Sequence, residues 1–149
     1  MIGDNSTITR SSPVQVGANS VVNIVKTRPT LLDSSSWTQV SAGRSHTLAI
    51  KYDQTLWGWG GWAAGVAANT SVLFSSPTQV GALSYTKISA ANNSSYAISN
   101  TNKLYAWGQN SSGELGLNDV ANRSSPVQVG TSNWISVSAG PGFAGAIKQ

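Results

Sequence analysis

A segment of 48 to 49 residues is written nearly three times in this chain. Its first line is SSPVQVG (Ser11 to Gly17), SSPTQVG (Ser75 to Gly81) and SSPVQVG (Ser124 to Gly130). A second is WTQVSAG (Trp37 to Gly43), YTKISAA (Tyr85 to Ala91) and WISVSAG (Trp134 to Gly140). A third is LWGWG (Leu56 to Gly60) and LYAWG (Leu104 to Gly108). Repetition at this period marks an architecture of stacked units, each too small to bury its own apolar face without a neighbour.

The units read as short strands. Val14 and Val16 alternate with Gln15, and Leu48 and Ile50 share one face of HTLAIK. Pro13, Pro77 and Pro126 stand at the start of a strand, where a missing N–H is tolerated. Asp53 and Gln54 predict a turn, with TLWGWG returning as the partner strand. No segment carries a helical period. The expected fold class is all-β, an incomplete β-propeller of about three blade-like antiparallel sheets with 48–49-residue repeats.

Side-chain size follows the same geometry. Innermost strands converge on one axis and need small residues, which suits Ser41, Ala42 and Gly43 with Ser89, Ala90, Ala91 and Ser138, Ala139, Gly140. Trp57 and Trp59 alternate around Gly58, and Tyr105 and Trp107 around Ala106, so each pair points to one face and reads as core between blades.

The run W-x-x-V-S-A-G-x-x-H-T-L-A-I-K, then L-W-G-W-G, then Gly113-Glu114-Leu115-Gly116, then S-S-P-V-Q-V resembles the regulator of chromosome condensation repeat. The resemblance implies one four-stranded propeller blade per repeat. Two departures stand out. Gly65, Val66, Ala67 and Ala68 replace the Gly-Glu-Leu-Gly loop in an apolar stretch that includes Trp62 and runs on to Phe74. Nineteen residues separate Gly17 from Trp37, against three at the corresponding places of the other units. The 16 extra residues, 18–33, hold the apolar run VVNIV and a Thr-Arg-Pro-Thr turn.

The expected organisation is a single repeat domain over 1–149. It comprises a partial blade 1–36 with the insertion 18–33, repeats 37–84 and 85–133, and a partial repeat 134–149. Three blades do not close a propeller, and open ends leave unpaired strand edges. The expected ways out are a second copy that continues the propeller, a different chain that caps a curved open sheet, or a chain cut short of its remaining blades. The residues expected at partner contacts are Val21, Val22, Ile24 and Val25 in the insertion, Trp62 and Phe74 around the apolar loop, and Trp134 and Phe143 near the C-terminus.

Composition narrows function mainly by exclusion. There is no Cys, so disulfides and thiolate sites are ruled out. Only 9% of residues are charged while 40% are apolar, so the surface is covered by uncharged polar groups, a composition common in extracellular and virion proteins. The net charge of +4 comes from basic residues scattered along the chain, without the basic runs and interleaved aromatics of a nucleic-acid footprint. The segment MIGDNSTITR has no apolar h-region, so no cleaved secretory signal is expected. No apolar stretch reaches the roughly eighteen residues of a membrane-spanning helix.

No catalytic constellation is legible. His46 is the one histidine and reads as structural, with Ser95 and Ala144 in the matching places of the other units. Asp4, Asp33, Asp53, Glu114 and Asp119 form no close pair for acid–base work. GWGGWAAG has neither the lysine nor the helix of a phosphate loop. Catalytic, cofactor and metal sites are therefore expected to be absent.

The expected function is a non-enzymatic structural or interaction protein of a phage virion, a capsid decoration or tail-fibre component, with self-association or other virion proteins as partners. The alternatives are a carbohydrate-binding surface module, for which glycan is the ligand, and the chromatin and GTPase binding that the family resemblance implies. The expected location is the virion, with the cytoplasm, or the exterior without a signal, as alternatives.

Overall fold

A computed structural model describes residues 22–25, 28–31, 37–60 and 74–149. Its strands are β1 (Val22–Val25), β2 (Arg28–Leu31), β3 (Trp37–Ala42), β4 (His46–Lys51), β5 (Thr55–Gly60), β6 (Phe74–Ala90), β7 (Ser94–Ser99), β8 (Leu104–Gly108), β9 (Arg123–Gln128), β10 (Trp134–Gly140) and β11 (Phe143–Lys148). Among the described residues there is no helix, and every strand pair is antiparallel.

β3 to β9 follow one another as neighbours in a single ladder, and β10 pairs with β11. The ladder is two blades sharing one strand. The first half of the 17-residue β6 pairs with β5, through Trp57↔Gln79 and Gly60↔Phe74. Its second half pairs with β7, from Tyr85↔Ser99 to Ala90↔Ser95. Thus β6 is the outermost strand of one blade and the innermost strand of the next. At the crossing, Gly81 takes φ +64, and Gly130 takes φ +59 at the same place of the following unit. That left-handed backbone explains the glycine closing the S-S-P-x-Q-V-G line at 81 and at 130.

The internal order of each blade repeats in register. Ala49 faces Trp57 as Ala97 faces Tyr105, and Ile50 faces Leu56 as Ile98 faces Leu104. The turn expected at Asp53–Gln54 is present: Gln54 N donates to Lys51 O at 2.9 Å with φ +66, and Asn102 repeats it with its bond to Ser99 O at 3.0 Å and φ +62. Trp57 and Trp59 do share a face, their rings 6.4 and 6.2 Å from that of Trp37. The edge-on Trp37–Trp57 contact recurs in the next blade as Tyr85–Tyr105, at 5.8 Å.

The core lies between the blades. Leu48, Ile50, Leu56 and Val80 of the first blade pack against Tyr85, Ile88, Ala90, Ala97 and Trp107 of the second. On the other face of the second blade, Tyr96, Ile98, Leu104 and Leu115 meet Trp134, Val137, Ala139 and Ala146 of the β10–β11 hairpin. Burial here also pushes the Tyr85 phenol up to about 12, with Tyr105 reinforcing the effect.

Two sequence readings need correction. Arg28, Pro29 and Thr30 do not form a turn; they lie in β2, paired with β1 from Val22↔Leu31 to Val25↔Arg28. The register also shifts the partners of His46. His46 faces Gly60 and Ser94 faces Gly108, while Gly140 faces Phe143, so its counterparts are Ser94 and Phe143 rather than Ser95 and Ala144. Matching loops set this register: Gly43 N donates to His46 O at 2.8 Å, and Ala91 N to Ser94 O at 2.9 Å.

Candidate interaction surface

Each blade has a leading face, turned to the blade before it, and a trailing face, turned to the blade after it. The seams between them are built from one set of contacts used twice. The hydroxyl of Ser41 accepts from Ala90 N at 2.8 Å, and that of Ser89 accepts from Ala139 N at 3.0 Å. Tyr85 N donates to Gln54 O at 2.9 Å, and Trp134 N to Asn102 O at 2.8 Å. The small residues of the S-A-G line thus do more than fit near an axis. Their serine hydroxyls satisfy a backbone donor of the next inner strand. The second seam adds Lys103 Nζ, which donates to Thr131 O and Asn133 Oδ1 at 2.7 and 2.8 Å.

His46 belongs to the first seam. Its ring is 2% exposed, its Nε2 lies 3.0 Å from Ser95 Oγ, and burial lowers its pKa from 6.5 to about 4. It is a neutral hydrogen-bonding group between two blades. Among the described acidic groups, Asp53 lies in the β4–β5 turn, and Glu114 and Asp119 lie in the β8–β9 loop. Asp53 is held below the usual carboxylate range by Thr55, which donates from both its hydroxyl and its backbone N–H. Asp119 is held low by the Ala121 N–H and then by Arg123. Among the described residues no group of three or more His, Asp or Glu is placed to hold a metal ion.

The Gly113–Gly116 loop is built around Asn110, which is fully buried. Asn110 Oδ1 accepts from Leu115 N at 2.9 Å, its Nδ2 donates to Asp119 O at 2.8 Å, and its N–H donates to Asn122 Oδ1 at 2.8 Å. Leu115 is thereby driven into the second core cluster, and Tyr96 Oη donates to Glu114 O at 2.7 Å. Beside this loop, a cleft of about 190 Å³ runs between the second blade and the β10–β11 hairpin, lined by Leu104, Leu115, Val129, Trp134, Val137 and Ala146 among others.

The residues expected at partner contacts fall in several elements. Val21 and Trp62 lie outside the described residues, and Val22, Ile24 and Val25 form β1. Phe74 opens β6, half-buried against Ala49 and Trp59. Trp134 is half-buried in the second seam and lines the cleft. Phe143 is 67% exposed at the turn of the β10–β11 hairpin, its ring over Gly140.

Two residues not singled out from sequence are more telling. Ile147 is 60% exposed, although the isoleucines at its place in the two blades, Ile50 and Ile98, are 2% and 1% exposed. Val40 on β3 is 54% exposed, although Ile88 and Val137 at its place pack into the two seams. The signal for both was in the repeat, which sets each beside two counterparts that pack into the seams.

Comparison with known proteins agrees with this anatomy. Residues 101–147 match the Regulator of chromosome condensation (RCC1) repeat, and 37–61 with 85–114 match a second description of the same repeat. No curated protein matches the chain. Among solved structures, human WBSCR16 is similar with a TM-score of 0.74 at 18% identity, over 82% of this chain and 34% of that one. Yeast RCC1 (Prp20), solved bound to Kap60, gives a TM-score of 0.71 at 20% identity, over 83% and 33% of the two chains. Prp20p of Saccharomyces cerevisiae, studied for its binding to Gsp1p and histones, gives 0.69 at 20% identity, over 83% and 34%. The chain spans about a third of the length of these structures. The matched repeats cover more than half of the chain and coincide with the blades, so this protein belongs to the regulator of chromosome condensation repeat family.

Proposed function

We propose that this chain is a non-enzymatic protein-interaction module whose binding surfaces are its exposed blade faces. The observation that carries this reading is the exposure of Val40 and Ile147 at positions that are packed wherever an adjoining blade is present. The one histidine is spent on a seam, and the described carboxylates, Asp53, Glu114 and Asp119, bond to near neighbours in sequence. Protein binding is also what is described for the yeast relatives, with Kap60, Gsp1p and histones.

The particular setting we propose is a virion, with other particle proteins as partners. A chain with 9% charged residues has a surface of neutral polar groups, which suits dense packing among protein neighbours. The test is native affinity capture followed by crosslinking mass spectrometry, with particle fractions compared against soluble ones. Crosslinks from Lys51 and Lys148, which lie at the ends of β4 and β11, are expected to reach a protein partner. A chain that captures no protein but binds sugars on a glycan array overturns the reading in favour of a carbohydrate module. A salt-dependent shift of DNA favours chromatin binding instead.

A further inference from the structure

We infer that the leading face of β3 and the trailing face of the β10–β11 hairpin bind each other between copies, so that this chain associates head to tail. The inference rests on the protein-interaction reading above and names the partner as a second copy.

The two faces are complementary because the molecule already joins them twice within itself. In both seams an inner strand presents a branched apolar residue and an alanine on its leading face: Ile88 and Ala90 in one, Val137 and Ala139 in the other. β3 carries the same pair, Val40 and Ala42, and both are exposed. In both seams the preceding blade offers an isoleucine and a serine on its trailing face, Ile50 with Ser41 and then Ile98 with Ser89. The hairpin carries the same pair, Ile147 and Ser138, and both are again exposed. Docking Ser138 of one copy beside β3 of another reproduces the serine-to-alanine bond, with Ala42 N as donor. The same step brings Ile147 over Val40 and removes both from water.

This contact is heterologous. Each copy uses a different face at each end, so assembly continues to a closed ring or an open filament rather than stopping at a two-fold dimer. That property gives a sharp test. A charge on either face blocks self-association of that variant, because every contact needs one intact face of each kind. Two variants blocked at opposite ends still have one good pair of faces between them.

The experiment is analytical ultracentrifugation of the full chain over a micromolar concentration series, with Val40→Asp and Ile147→Asp measured alone and mixed. Both sites are on the surface, and circular dichroism checks that each variant keeps its strand content. The wild type is expected to exceed the 15.5 kDa monomer mass as concentration rises. Each variant alone is expected to stay monomeric, and the mixture to give a one-to-one dimer and nothing larger. A second pair, Ala42→Arg and Ser138→Arg, blocks the same faces at other positions and is expected to behave identically. A monomeric wild type, a single variant that assembles like wild type, or an assembling wild type whose mixed variants stay monomeric each overturns the inference. If the wild type is monomeric yet still captures another protein, only the head-to-tail contact is lost. If it captures none, the interaction reading falls with it.

Discussion

The Nε2 of His46 lies 3.0 Å from the Oγ of Ser95 across the boundary between two blades, with the imidazole 2% exposed and its Nδ1 without a hydrogen-bond partner. Protonating the ring there places a buried charge beside a neutral hydroxyl. This explains why burial lowers the pKa from 6.5 to about 4.

Stability is therefore expected to depend on pH between these values. Below pH 6.5 the unfolded chain takes up a proton that the folded chain refuses, so the unfolded state gains and stability falls as pH drops toward 4. The full swing for a shift of this size is about 3 kcal/mol. Urea titrations between pH 7 and pH 4 measure it, and His46→Gln is expected to flatten this part of the profile. An unchanged slope in that variant contradicts the assignment.

The serine hydroxyls are expected to act as seam fasteners of modest strength. Ser41→Ala and Ser89→Ala each remove the acceptor of one backbone N–H, of Ala90 and Ala139 respectively. Each should cost about 1 kcal/mol in denaturant unfolding. The two sites occupy different seams, so the double variant should show nearly the sum.

Asn110 is expected to be far more sensitive. It is fully buried and bonds to Leu115, Asp119 and Asn122 with three separate groups. Asn110→Ala leaves the Leu115 N–H without its acceptor and should cost about 3 kcal/mol. Hydrogen exchange is expected to accelerate at the Leu115 amide before it does at the amides of β7. Protection that persists at Leu115 excludes this role for Asn110.

Gly60 and Gly108 end the third strand of each blade with φ +112 and φ +106. A methyl group on Gly60 meets Ser45 O at 2.5 Å, and one on Gly108 meets Asn93 O at 2.4 Å. Both obstacles are backbone, so neither yields cheaply. Gly60→Ala or Gly108→Ala is expected to lose about 3 kcal/mol, read as a lower midpoint in thermal or urea unfolding. A loss within the error of wild type contradicts the steric argument.

Much of the fold was legible because the repeat compares the chain with itself. Small residues on the S-A-G line, the Asp53–Gln54 turn and the aromatic pairs around Gly58 and Ala106 each follow from size, backbone preference or alternation. The register at His46 was misplaced by one residue although it was legible, since the 48-residue spacing of Trp37 and Tyr85 carries His46 to Ser94 and the Ala and Ile shared by HTLAIK and SSYAIS agree. The Gly43–His46 and Ala91–Ser94 backbone bonds hold the same register. Asn110 was hidden, as a buried hub and a solvated loop asparagine look alike in sequence. The candidate surface was the least legible part. Val40 and Ile147 are ordinary strand residues, and only the packing of their counterparts marks their exposure as unusual.

The sharing of β6 between two blades bears on how such a chain grows and shrinks. A stretch of sequence one period long contains every strand of a blade wherever it is cut, because its first and last strands belong to neighbouring sheets. A gene duplication or deletion of one period therefore needs no special breakpoint to add or remove a whole blade. It leaves each seam with the same serine, the same alanine N–H and the same apolar partners on either side.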